Sequence, residues 1–225
     1  LFDNPQNRGW TEPTSDEMVG NGFCWGQSSH LLAWIYHVCP TLHPQKVFCA
    51  MNYSSVTNAD VSHSATIVCS DLSSCNENNE ISEGNNVIMS ISGTSLLPGY
   101  EHSDPGVGKR ISIAIYGTKG AILYSGDDKD ELSGKLKFRD NDTGGKIDLP
   151  CGPNVGFHFE NTETGGSGPE SLQSFIHACI GSDEYYAGSN ALDGFRTIQT
   201  MEAMYRSNAS HQFVEVAYQK VDVGT

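Results

Sequence analysis

Apolar residues recur along this chain with two periods, and the change from one to the other outlines its elements. Leu31, Trp34, Ile35 and Val38 keep the three-to-four spacing of an amphipathic helix, Ser28 or Ser29 can cap its start, and Pro40 prevents its continuation. The period then falls to two. Val47, Cys49 and Met51 alternate with Phe48 and Ala50, and alternation returns at residues 65–69, 87–92, 111–116 and 121–124. These segments predict strands. The sequence GTKG at 117–120 predicts a hairpin turn, because its glycines tolerate positive φ, and a further short strand fits residues 135–138.

Helical spacing resumes at 169–179, with Pro169 in a first turn, Leu172, Phe175, Ile176 and Cys179 on one face, and Gly181 as a stop. A second helix is predicted over about 191–207, burying Ala191, Phe195, Ile198, Met201 and Tyr205, and a strand at 213–218 closes the chain. Several strands are apolar at both parities, which predicts a sheet covered on one face by helices and on the other by a partner or a second layer. The order of elements describes an α+β domain with a predominantly antiparallel open sheet.

With 225 residues and no compositional break, the chain is read as one domain over 21–225, preceded by a polar, Pro- and Gly-containing arm over 1–20. Its formal net charge of −14, from 13 Lys and Arg against 27 Asp and Glu, excludes a polyanion such as nucleic acid as partner. The apolar run at 31–38 is too short to cross a bilayer, and the first residues have no signal-peptide pattern, so no membrane is expected. Seven cysteines without a CxxC pair cannot all pair within one chain, and point to reduced thiols in a cytoplasmic protein. Glycosylation-type triplets at Asn52, Asn141 and Asn208 would matter only for a secreted chain.

The densest candidate chemistry lies in GNGFCWGQSSH, residues 20–30. His30 can give or take a proton near neutrality, while Asn21, Trp25 and Gln27 offer amide hydrogen bonds and an aromatic face, the groups a sugar-like ligand needs. An isolated histidine is more often a packing residue; these neighbours favour the functional reading. Cys24 beside Trp25 lacks the surroundings of a thiol-protease nucleophile, and His158, His177 and His211 come with no supporting Asn motif. His30, His37 and His63 lack the usual spacing of metal ligands, and the acidic runs at 127–131 and 140–145 read as solvated turns, so no metal is expected. The glycines of GYEHSDPGVG, residues 99–108, do not follow a strand and open a helix as a dinucleotide fingerprint requires.

Taken together, GNGFCWGQSSHLLAW (20–34), KVFCAMN, GTKGAILY, GFHFE (156–160) and PESLQSFIHACIGSDEYYAGSNALDGFRTIQTMEAMYRS (169–207) resemble the C-terminal, substrate-binding domain of the Gfo/Idh/MocA family of sugar and polyol oxidoreductases. The resemblance covers nearly the whole chain. It implies an NAD- or NADP-binding Rossmann domain upstream of the 1–20 arm, carrying a catalytic lysine. It also implies His30 as the acid/base or substrate-orienting group, Asn21, Trp25 and Gln27 lining the substrate pocket, His158 as a weaker substrate contact, and self-association through the open sheet face. Without that upstream half, the chain alone is expected neither to bind NAD(P) nor to turn over substrate. Many members carry an aspartate four residues before the histidine; here that position is Gly26, and no carboxylate stands there to orient the imidazole. A non-catalytic carbohydrate-binding or assembly domain on the same scaffold is the alternative.

Overall fold

The computed structural model describes residues 2–13, 18, 20–71, 86–96, 110–127, 134–149, 168–182 and 188–217. They belong to two compact units, one formed by residues 1–96 and 187–225 and the other by residues 97–186. Helix α1 (Arg8–Thr11), one turn of π-helix (Cys24–Ser28) and helix α2 (Ser29–Val38) precede strands β1 (Leu42–Tyr53), β2 (Asp60–Asp71) and β3 (Asn86–Thr94). Strands β4 (Arg110–Gly117), β5 (Gly120–Asp127), β6 (Lys135–Asp140) and β7 (Lys146–Leu149) follow, then helices α3 (Gly168–Cys179) and α4 (Ala191–Ser210) and strand β8 (Val214–Glu215).

Among the described residues the strands form two four-stranded sheets, β3-β2-β1-β8 and β4-β5-β6-β7, with every pairing antiparallel. Alternation and turn residues reveal hairpins, but nothing in them marks where one meander ends, and the sequence therefore reads as a single sheet. Pro44 sits inside β1 because the β1–β2 register shifts between Pro44 and Lys46, which removes the need for its missing N–H.

In the first unit, Val47, Ile67 and Met89 stand in one cross-strand row and Cys49, Ala65 and Ile91 in the next. They share a core with Leu32 and Tyr36 of α2 and Met201, Ala203 and Met204 of α4. Among the described residues, the short β8 leaves part of β1 without a neighbouring strand on that side. Helix α4 supplies the missing partners: Ser207 Oγ accepts from Cys49 N (2.9 Å) and Asn208 Oδ1 from Met51 N (2.8 Å). The edge of the sheet is thereby closed by side chains of a helix.

Two helices turn different faces inward from those their apolar pattern suggests. Leu32 and Tyr36 of α2 are buried, while Trp34 and Val38 are 40% and 47% exposed. Along α4 the buried side includes Asp193, Arg196, Thr197, Thr200 and Ser207 beside Met201 and Tyr205, and Ile198 faces outward. The polar residues are tolerated because they are partnered. Thr200 bonds the Tyr36 hydroxyl (2.8 Å), and Arg196 reaches Asp193 (2.8 Å) and the carbonyls of Pro40 (2.8 Å) and Leu42 (3.0 Å). On α3, Leu172, Phe175, Ile176 and Cys179 are exposed although their spacing suggests a buried stripe.

The second unit contains a sheet with two distinct faces. Ile115, Ile122, Phe138 and Ile147 make one row across all four strands, next to the row of Ile113, Tyr124 and Leu136. The opposite face carries Ser112, Ala114, Lys135, Lys137, Arg139 and Lys146. No helix among the described residues is long and apolar enough to cross a membrane.

Candidate functional site

The segment at 20–30 folds as it does because two glycines admit a close approach. Gly22, at φ +150°, forms a parallel bridge to Asp60, and a Cβ there would stand 2.5 Å from the Asp60 carbonyl oxygen and 2.6 Å from its nitrogen. Gly20, at φ +124°, lies against the ring of Tyr205. The chain then turns helical at residue 23, several residues before the expected start. Its early N–H groups need acceptors from outside the helix, and Asp60 provides one: Cys24 N donates to Asp60 Oδ2 at 2.7 Å. The other carboxyl oxygen accepts the Tyr205 hydroxyl at 2.5 Å. A fully buried Asp60 thus joins helix start, strand and α4, and negative charge is favoured at that end of a helix.

This arrangement replaces the expected serine cap. Ser29 Oγ donates back to Trp25 O (2.7 Å), and Ser28 Oγ is hydrogen-bonded to His63 Nε2 (2.9 Å) within the core. Burial pushes the Cys24 thiol far up, helped by Asp60 and Cys49, so it stays protonated and inert. Cys49 and Cys69 are pushed up to about 12, chiefly by burial, and the five described cysteines carry free thiols. Burial also raises Tyr205, with Cys24 and Asp60 adding to the effect. This cluster is a structural support and offers no ready proton donor or nucleophile.

The candidate residues separate into two groups. Gln27 and His30 are exposed, presented at the end of the π-turn and the first turn of α2. Asn21 is buried and donates to the carbonyl of Glu12. Trp25 is half-buried and stacks on Tyr205, with ring centroids 6.2 Å apart, and its indole N–H is buried without an acceptor among the described residues. His158 lies outside the described residues. A cleft of about 310 Å³ opens beside Asn21, between Glu12, Tyr53, Asn58 and Tyr205; neither Gln27 nor His30 lines it, and among the described residues no basic one does.

His30 and His37 are exposed whereas His63 is buried, and among the described residues no group of three or more His, Cys, Asp or Glu is placed to hold a metal ion. Sequence reasoning passed over Asp60, Ser28 and Tyr205 as site-building residues and treated His63 only as a possible ligand. Asp60 follows a polar turn and Tyr205 falls on an apolar helix pattern, so neither signals a contact across 145 positions of sequence. The glycines at 20, 22 and 26 suggest a backbone approaching a ligand closely, whereas Gly20 and Gly22 instead admit Tyr205 and the Asp60 backbone.

No protein-family model and no curated protein matches the sequence. Solved structures share its fold. An NAD binding oxidoreductase from Klebsiella pneumoniae is 11% identical with a TM-score of 0.57, over 88% of this chain and 51% of that one. An oxidoreductase from Sinorhizobium meliloti is 14% identical with a TM-score of 0.57, over 89% and 54%. Levoglucosan dehydrogenase, in complex with NADH and levoglucosan, is 15% identical with a TM-score of 0.54, over 86% and 50%. The chain spans about half the length of each of these three proteins.

Proposed function

We propose that this chain is the substrate-binding and oligomerisation half of an NAD(P)-dependent oxidoreductase of the Gfo/Idh/MocA type, acting on a sugar, polyol or related hydroxylated compound. The observation that carries this reading is the exposed placement of Gln27, near the end of a π-turn, and His30, in the first turn of the helix that follows, in a fold shared with half of several oxidoreductases. Single π-turns inside helices recur at functional sites, because the extra residue re-aims the side chains around it. In this reading residues 1–20 form the arm from a nucleotide-binding domain, and residues 21–225 form the substrate domain.

The dinucleotide is assigned to the other half of the complete protein. A dinucleotide cradle needs a strand, a glycine-rich loop and a helix N-terminus in succession, whereas the described strands are linked in antiparallel meanders and do not fit it. NAD or NADP would supply the hydride acceptor. The residues of this chain would bind and orient the substrate, with His30 holding or accepting the hydroxyl proton at an imidazole nitrogen. The cleft beside Asn21, though not lined by His30, suits a neutral, hydroxylated ligand, since amide, hydroxyl and carboxylate groups line it and no basic side chain does so among the described residues. The apolar face of the β4–β7 sheet is the proposed contact with a second copy.

Replacement of His30 tests the assignment. In the complete protein His30→Ala should lower kcat by about 10²–10⁴-fold with little change in cofactor affinity, as expected for loss of a general acid/base. A rise in KM with kcat unchanged would instead assign His30 to uniform binding, with the proton moved elsewhere, as the lack of a carboxylate at Gly26 would allow.

A further inference from the structure

Beneath the segment that presents Gln27 and His30 lies a buried pair, Ser28 and His63. Ser28 ends the π-turn, and its Oγ is 2.9 Å from Nε2 of His63 on β2; the two residues are only 4% and 5% exposed. The His63 ring is held from two further sides. Phe23, at the helix start, lies with its ring centroid 5.8 Å away, and Gly93 of β3 presses so close that a Cβ there would stand 2.6 Å from the Phe23 ring and 3.2 Å from the His63 ring. The other ring nitrogen, Nδ1, is buried without a hydrogen-bond partner among the described residues. In either neutral tautomer, therefore, Ser28 provides the one hydrogen bond this imidazole makes there.

A histidine wholly enclosed and half-satisfied is a costly way to fill a core, where a leucine would pack without an unpaired polar atom. The contact it gains in return is to a turn with unusual geometry. A π-turn widens the helix by one residue, so a side-chain bond from the neighbouring strand can hold it in place. Phe23 and Ser28 bracket the turn, and both rest on His63.

We propose that His63 is a positioning residue: its bond to Ser28 and its contact with Phe23 pin the π-turn Cys24–Ser28 to the sheet and thereby set the direction in which Gln27 and His30 face the substrate. This rests on the reading of His30 given above. Deleting the bond should loosen the turn without dismantling the sheet. The experiment is hydrogen–deuterium exchange on the complete protein, followed in peptides covering residues 23–31, for Ser28→Ala. A second variant, His63→Phe, keeps an aromatic ring without its nitrogens, and His63→Gln keeps a polar partner for Ser28.

Exchange in that peptide should rise about fivefold to tenfold in Ser28→Ala and His63→Phe, the scale of one lost hydrogen bond, and peptides over residues 42–53 should stay within about twofold. His63→Gln should lie closer to the parent. In the same variants kcat should fall about fivefold to tenfold with KM held within about twofold, because a misdirected His30 affects the reacting geometry more than the encounter. Unchanged exchange overturns the proposal. So does faster exchange with undiminished turnover in a protein that His30→Ala inactivates. If His30→Ala itself leaves turnover intact, the reading of His30 has failed, and the exchange measurement still decides whether the pin exists.

Discussion

Gly22 shows how much of this site depends on a missing side chain. Its positive φ and the nearness of the Asp60 backbone are two independent obstacles to any other residue, and neither neighbour is a flexible chain end that could move aside. Gly22→Ala should lower stability by roughly 2–5 kcal/mol, combining a strained backbone with overpacking, and a urea midpoint would measure it. A cost below about 1 kcal/mol would mean that the bridge to Asp60 yields easily. His63 makes a second expectation at this scale. Burial lowers its pKa, with Asp60 opposing in part, so the folded protein favours the neutral ring. An unfolded chain binds the proton more readily. The contribution is fully present above the ordinary histidine value of about 6.5 and is lost as pH falls from there towards the lowered folded value. The parent should therefore lose stability more steeply than His63→Gln below pH ~6.5, by at most about 1.4 kcal/mol per pH unit, in thermal melts at matched ionic strength.

Helix α4 is held at its first turns by charge rather than by apolar area. Asn190 caps it, accepting from Leu192 N and Asp193 N, while Asp193 Oδ2 accepts from Asn190 N to complete the capping box. The other oxygen of the same carboxylate takes Arg196, whose guanidinium lies over the Tyr36 ring at 5.4 Å and donates to the carbonyls of Pro40 and of Leu42, the first residue of β1. One arginine thus joins two helices and the entry to β1. Arg196→Met should cost about 3–5 kcal/mol, since it removes the cation beside a buried carboxylate and leaves Asp193 Oδ1 and two carbonyls without their donor. Adding Asp193→Ala should recover part of that loss, and a double-mutant cycle in urea would detect the coupling. Strict additivity of the two changes would argue that they act independently.

At the scale of the whole molecule, the β4–β7 sheet raises the question of what meets its apolar face. Ile122, Phe138 and Ile147 are 42%, 38% and 53% exposed in one continuous row, while the positive charges stand on the other side. Apolar area of this kind left in water favours association. Sedimentation at micromolar concentration should give a dimer or larger species with a contact above roughly 1,000 Å², and Phe138→Glu should shift it to monomer. A parent that sediments as a monomer would remove the second copy from the proposal.

Much of the local structure was legible in the sequence because it depends on neighbours in the chain. Alternation at 47–51, 65–69, 87–92, 111–116 and 121–124 falls within β1 to β5, the GTKG turn closes the β4–β5 hairpin, and α2, α3 and α4 stand where helical spacing put them. The turn chemistry and period that define such elements are properties of a few consecutive residues. Which face each helix buries was decided elsewhere. Thr200, Arg196 and Asp193 can turn inward only because Tyr36, Pro40 and Leu42 meet them there, and hydrophobic spacing contains no record of polar groups that satisfy one another. The division of the strands into two sheets was likewise invisible. For the site, the sequence identified the segment from Gly20 to His30, whose glycines and polar groups are local. The buried Asp60 beneath the helix start, the Tyr205 that crosses to it and the His63 under Ser28 come from distant positions. Hydrogen bonds between such positions exist only once packing has brought the groups together and removed the water that would otherwise satisfy them.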